Sequence, residues 1–217
     1  MGAWAETSFE LEGVVVERDG RRILGPVDLA LPERGPIAIS GPSGAGKSSL
    51  LRLLNRLDVP ATGTIRLHGE RLDELDASVL RRRVAMVFQR PVALPGTVAD
   101  NLREADPALT DADVARALER VSLDPDLAAR DARDLSGGEA QRMCLARSLA
   151  THPEVVLFDE PTSSLDADHA AAIEALARSL EDDGLTTIWV THDADQLDRL
   201  ARHVVRLVDG TARLEAR

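Results

Sequence analysis

Apolar positions along the chain fall into three rhythms, and each predicts a different kind of element. Phe9 to Val16 reads as a strand, Asp19-Gly20 as a turn, and Val27 to Leu31, with its alternating apolar residues, as a second strand with one covered face. Ile37-Ala38-Ile39-Ser40, Val84 to Phe88, Val155 to Phe158 and Thr186 to Val190 are nearly unbroken apolar runs, the pattern of buried strands. Ser48 to Leu57 places leucines at 50, 51, 53, 54 and 57, a helical spacing with one apolar face, and Ala167 to Leu180 reads as a second helix. From Pro91 to about Arg133 the pattern changes to short helices punctuated by Pro95, Gly96, Pro107 and Pro125, with acidic residues on their exposed faces. Ala201 to Leu207 and the last residues predict a helix end and a final strand. Strands alternating with helices predict an α/β fold, and 217 residues suit a single domain of which 91–150 forms an inserted helical lobe.

Composition narrows the class. Hydrophobic residues make up 44 % of the chain, yet no apolar run approaches the roughly 18 residues needed to cross a bilayer, so a soluble protein is expected. Met1 to Glu10 has neither the basic start nor the apolar stretch of an export signal, and no C-terminal regulatory domain is expected. Cys144, the single cysteine, sits in Met143-Cys144-Leu145-Ala146 and is expected as a small buried packing residue, which suits a reducing cytoplasm. A net charge of −11 repels polyanions, and 2 % aromatics with no tyrosine removes the stacking platforms of single-strand binders, so no nucleic-acid partner is expected. Arg81-Arg82-Arg83 is the local exception and reads as a solvated helix face.

Twenty-five arginines accompany one lysine, Lys47, and the exception falls within Gly41-Pro42-Ser43-Gly44-Ala45-Gly46-Lys47-Ser48. A predicted strand precedes this segment and a predicted helix follows it, the context in which a glycine-rich loop cradles phosphates. Backbone N–H groups and the positive helix start face the anion, and a compact ammonium fits between phosphate oxygens where a planar guanidinium does not. Ser43, Gly44, Ala45, Gly46, Lys47, Ser48 and Ser49 are therefore the candidate nucleotide contacts, with the Ser48 hydroxyl placed to ligate Mg²⁺. Farther on, the apolar strand Val155 to Phe158 ends in Asp159-Glu160, two carboxylates at a strand tip. Asp159 is the candidate to hold Mg²⁺, and Glu160, pointing elsewhere, to polarise an attacking water. Leu135-Ser136-Gly137-Gly138-Glu139 taken alone is a helix start with the spacing of a capping box.

The order of these segments adds more. Leu-Ser-Gly-Gly-Glu about twenty residues before an apolar strand ending Asp-Glu is the signature of the ATP-binding cassette family, which this chain resembles from about Phe9 to Val208. The resemblance implies a P-loop NTPase (RecA-like) α/β core with an N-terminal antiparallel β subdomain and an inserted α-helical subdomain. It implies ATP and Mg²⁺ as ligands, with Gln89 sensing Mg²⁺ and the attacking water, and His192 contacting the γ-phosphate. Ser163-Ser164-Leu165-Asp166 matches the loop that crosses a dimer interface. In such a head-to-tail homodimer Ser136, Gly137 and Gly138 of one copy close over ATP held by the other. One departure is plain: the aromatic residue on which the family stacks adenine has no counterpart here, and an ungapped count reaches Arg18, whose guanidinium is the candidate substitute.

With every catalytic position filled, the expectation is an ATPase subunit that drives a separate transmembrane permease from the cytoplasmic face of the membrane. Arg90 to Leu102 is expected to present exposed apolar residues to that partner. Asn55-Arg56-Leu57, Phe88-Gln89-Arg90-Pro91 and Trp189-Val190-Thr191-His192-Asp193 are similar to small bacterial cassettes for iron or other metal efflux, and parts resemble phosphate-import ATPases. A non-transport cassette acting on macromolecules would show a long coiled-coil insertion or a second cassette, and a small-molecule kinase would lack Leu-Ser-Gly-Gly-Glu.

Overall fold

The computed structural model describes residues 7–163 and 165–216. The two alternating N-terminal stretches form a hairpin of β1 (Thr7–Arg18) and β2 (Arg21–Pro32), longer than the apolar pattern alone marks. Asp19 and Gly20, at φ 52° and 71°, make the turn that its right-handed twist favours. With β4 (Thr62–Leu67) and β5 (Glu70–Arg71) they build a four-stranded antiparallel sheet in the order β2-β1-β4-β5.

The apolar runs form the second sheet: β3 (Pro36–Ser40), β6 (Val84–Val87), β7 (Val155–Asp159), β8 (Thr186–Val190), β9 (His203–Val208) and β10 (Thr211–Ala216). Their order is β10-β9-β3-β8-β7-β6, all parallel except the antiparallel β10 edge. The chain thus ends in two strands, where the sequence pattern suggested one. Parallel strands need crossovers, supplied here mostly by helices. Alternate residues of each strand enter different cores: Val155, Leu157, Ile188 and Val190 join the layer shared with the antiparallel sheet, while Val156, Phe158 and Trp189 face the helical side. Helix α1 (Lys47–Leu54) fills the space between the two sheets with Leu50, Leu51, Leu53 and Leu54.

This helix ends three residues before the predicted Leu57. Arg56 turns left-handed at φ 54°, while its N–H donates to Leu53 O at 3.1 Å and that of Leu57 to Arg52 O at 2.9 Å. That pair of bonds closes a helix C-terminus, and it leaves Leu57 40 % exposed.

Asp76 caps α2 (Ala77–Arg83), whose last turn carries the three consecutive arginines. The helical lobe holds α3 (Val98–Ala105), α4 (Asp111–Arg120), two short 3-10 turns (Pro125–Ala129 and Ala132–Asp134) and α5 (Gly137–Leu149), followed outside it by α6 (Ala167–Asp182) and α7 (Ala194–Leu200). Val98 and Leu102, expected on an exposed coupling surface, are instead fully buried, because the i, i+4 stripe of α3 packs toward α5. Val92 stays 58 % exposed. Cys144 is buried as expected, and its burial pushes the thiol pKa up. Among the described residues, no helix is long and apolar enough to cross a membrane.

Candidate nucleotide site

Because β3, β8, β7 and β6 run parallel, all four chain exits lie on one edge of the sheet, the edge where open α/β sheets bind ligands. The glycine-rich loop leaves β3, His192 follows β8, Asp159 and Glu160 end β7, and Gln89 follows β6. Since β8 lies between β3 and β7, residues distant in sequence meet at this edge.

The loop is closed on itself before any ligand is considered. Lys47 Nζ donates to Gly41 O and Pro42 O, both at 2.9 Å, and Ala45 N donates to Pro42 O at 3.2 Å. Gly46 caps α1 at φ 91°, where a Cβ would also stand 3.2 Å from Ile23 Cγ2, so only glycine turns the chain here without strain. The first N–H groups of α1 are thereby aimed into a recess of about 340 Å³ lined by Arg18, Ile23, Ser43, Gly44, Gly46, Lys47, Ser48, Ser49 and Glu160. Arg18, the predicted substitute for an aromatic ring, reaches this recess from the end of β1, with Nη2 3.7 Å from Asp58 Oδ2.

Ser48 Oγ donates to Asp159 Oδ1 at 2.7 Å across 111 positions of sequence, and Asp159 is only 6 % exposed. A hydroxyl and a carboxylate this close form a hard oxygen donor set, which fits Mg²⁺ by its chemistry. Beside them, Glu160 turns left-handed at φ 47° and lines the recess. Glu160 N donates to Val190 O at 3.1 Å, so the turn is fastened to β8, and Glu160 Oε2 lies 3.2 Å from His192 Nδ1. Beneath this pair Phe158 and Trp189 stack at 4.1 Å on adjacent strands, a fully buried base that stiffens both tips.

Gln89 Nε2 donates to Ser163 Oγ at 3.0 Å, joining the exit of β6 to the loop after Glu160. Ser164, part of the predicted interface loop, lies outside the described residues. Gln196 Nε2 donates both to Thr162 Oγ1 at 2.9 Å and to Glu174 Oε1 at 3.0 Å, and Arg199 pairs with Glu174 at 2.8 Å. Centred on the buried Gln196 and Glu174, this set ties α6 and α7 to Thr162, just after Glu160. Sequence reading missed it, because contacts spanning 22 to 34 positions leave no periodic trace.

Ser136, Gly137 and Gly138 do not line the recess. They open α5, where Ser136 N donates to Glu139 Oε2 at 2.8 Å and Glu139 N to Ser136 Oγ at 3.3 Å. These reciprocal bonds are the capping box the spacing suggested. A Cβ on Gly137 would meet nothing within 4 Å, whereas one on Gly138 would stand 2.6 Å from His169 Cδ2. His169 also escaped the sequence reading, although its i, i+3 spacing from the helix-capping Asp166 was a usable signal.

Known proteins resemble this arrangement along most of its length. A profile of the family described as ABC transporter matches residues 24–163. Protein STAR1 of Oryza sativa subsp. japonica is 47 % identical over 199 residues, covering 89 % of this chain but 58 % of its own length, so the chain spans little more than half of that relative. The arginine transport ATP-binding protein ArtP of Escherichia coli (strain K12) is 38 % identical over 219 residues, 94 % of this chain and 89 % of its own. The solved structure of cbiO1 from Clostridium perfringens, part of the ABC transporter complex cbiONQ, superimposes with a TM-score of 0.84 at 25 % identity, covering 97 % of this chain and 88 % of that one. With a glycine-rich loop leaving β3, the carboxylates Asp159 and Glu160 at the tip of β7 and a profile match across both, the chain belongs to the ABC transporter family, of which it carries the P-loop ATPase domain.

Proposed function

We propose that this domain hydrolyses ATP at the recess between the loop and Glu160, and that hydrolysis drives transport through a separate membrane-spanning partner. The observation carrying this reading is the Glu160–His192 pair at 3.2 Å beside the Ser48–Asp159 pair, at the mouth of a helix start. Glu160 orients and deprotonates the attacking water, while His192 holds the Glu160 carboxylate and reaches the terminal phosphate. Lys47 and the loop N–H groups bind the β- and γ-phosphates. Ser48, Asp159 and Gln89 would hold Mg²⁺, which when bound neutralises charge on the phosphate oxygens. Arg18 packs its guanidinium plane on the base, and this predicts weak discrimination between ATP and GTP. Arg18→Ala with unchanged affinity for both nucleotides would discard that role.

The outward start of α5 supports a head-to-tail pair of chains, in which Ser136 and Gly137 of one copy complete the nucleotide site of the other together with the loop ending at Asp166. The membrane partner is received in a groove of about 510 Å³ bounded by Leu57, Met86, Phe88, Arg90 and Val92, in which Phe88 and Val92 are large exposed apolar residues. Such docking puts the domain on the cytoplasmic face of a membrane. Cargo is then chosen by the partner: sequence resemblance favours metal efflux with phosphate import second, while ArtP is by its name an ATP-binding protein of arginine transport.

Sedimentation of Glu160→Gln with and without ATP tests the pairing, with a nucleotide-dependent dimer expected. A monomer at every ATP concentration overturns it. Identification of the membrane protein that co-purifies decides the cargo.

A further inference from the structure

His169 lies in the first turn of α6, away from the recess, and both edges of its ring are engaged. Its Nδ1 stands 2.7 and 2.8 Å from the two carboxylate oxygens of Asp166, and its backbone N–H donates to Asp166 Oδ1 at 3.0 Å. The backbone donor first, and the ring second, hold the Asp166 carboxyl below its ordinary range. A carboxylate only accepts, so Nδ1 carries a proton and the orientation of the ring is fixed. Its opposite edge then meets α5. A Cβ at position 138 would stand 2.6 Å from Cδ2 and 3.1 Å from both Cγ and Nε2, closer than a side-chain carbon packs. Gly138 is therefore glycine in order to seat the imidazole, and of the two glycines only Gly137 keeps an open side.

The ring is thus a rigid spacer between two helix starts, those of α5 and α6, whose leading residues are Ser136 and Asp166. Building on the site completed by a second copy, we propose that His169 is a positioning residue: tethered by Asp166 and seated on Gly138, it holds Ser136 and Gly137 in register with the loop ending at Asp166, so that both meet the partner copy's nucleotide as one surface. The Gln89–Ser163 bond at 3.0 Å restrains the same loop near its other end. An imidazole has two side-chain torsions, and with both edges engaged neither helix start slides past the other.

The test uses the whole chain in the Glu160→Gln background. It measures ATP-dependent self-association by sedimentation, and monomer affinity by titrating a fluorescent ATP analogue at low protein concentration. His169→Ala is expected to weaken association by about tenfold, the size of one lost hydrogen bond to a charged group, with monomer affinity unchanged. His169→Asn, which keeps a donor for Asp166, and His169→Phe, which keeps a ring on Gly138, should each recover part of the loss. Gly138→Ala should damage association when His169 is present and damage it less in combination with His169→Ala, which vacates the space. Undiminished association of Glu160→Gln/His169→Ala overturns the positioning role. So does a loss of monomer affinity or thermal stability in step with association, the mark of simple fold maintenance. Absence of ATP-dependent association in Glu160→Gln alone overturns the site completed by a second copy, and the His169 proposal with it.

Discussion

The starts of α1 and α5 are both helix N-termini carrying glycines and serines, yet they are built in opposite ways. Around α1 the polar groups are drawn inward, some from distant sequence: Lys47 folds over its own loop, Ser48 bonds Asp159 across 111 positions, and Glu160 meets His192 across neighbouring strands. Around α5 the bonds are local, between Ser136 and Glu139, and Gly137 faces open space. In the proposed pairing the first start serves as a pre-organised half-site and the second as a donor offered outward. Pre-organisation in one place and exposure in the other is what a site shared between two copies requires, because the half that binds first must hold its shape alone.

Substitutions at the two starts should separate these roles. The largest effect is expected from Glu160→Gln, which removes the proposed general base and should lower kcat by about 10²- to 10⁴-fold with nucleotide affinity retained, as read by a phosphate-release assay. Retained turnover would move the base elsewhere. Next, Lys47→Ala should weaken nucleotide binding by the monomer about tenfold to a hundredfold, the loss of charged hydrogen bonds to phosphate. Ser136→Arg should leave that monomer affinity intact while blocking ATP-dependent pairing, and an equal effect of both substitutions on monomer binding would erase the contrast.

Ser136→Ala removes the α5 cap and is expected to cost about 1 kcal/mol of stability in thermal denaturation, without altering the recess. The smallest effect concerns pH. The Glu139 carboxyl is held below its ordinary value of 4.5, first by the Ser136 side chain and then by the Ser136 N–H. A depressed folded pKa stabilises fully above 4.5 and is lost as pH falls through the folded value, so the cap should weaken only in acid. Glu139→Gln should flatten the dependence of melting temperature on pH below that point, and an unchanged slope would deny the capping box any share in acid stability.

Much of this was legible before folding because it is local. Ile37 to Ser48 reads as strand, glycine loop and helix through period and glycine spacing, and Ser136 with Glu139 reads as a cap through an interval of three. The structure departs from the local pattern where a backbone turn or tertiary packing overrides it. Leu57 continued a helical spacing but lies beyond the left-handed turn at Arg56, and Val98 and Leu102 looked available to a partner but are consumed by α5. The Thr162–Gln196–Glu174–Arg199 set was invisible for a related reason, since its members come from separate elements that only the packing of α6, α7 and the loop brings together.

The sequence by itself pointed to a nucleotide, to the candidate loop for its phosphates and to the two candidate carboxylates, because a phosphate cradle is written in consecutive residues. The strand order was decided only in three dimensions, because nothing local dictates that β8 inserts between β3 and β7. That insertion brings His192 to Glu160, while the approach of the α6 start to the α5 start brings His169 to Gly138. Each is a contact between elements remote in sequence, set by which faces must be buried together and by nothing in either segment alone.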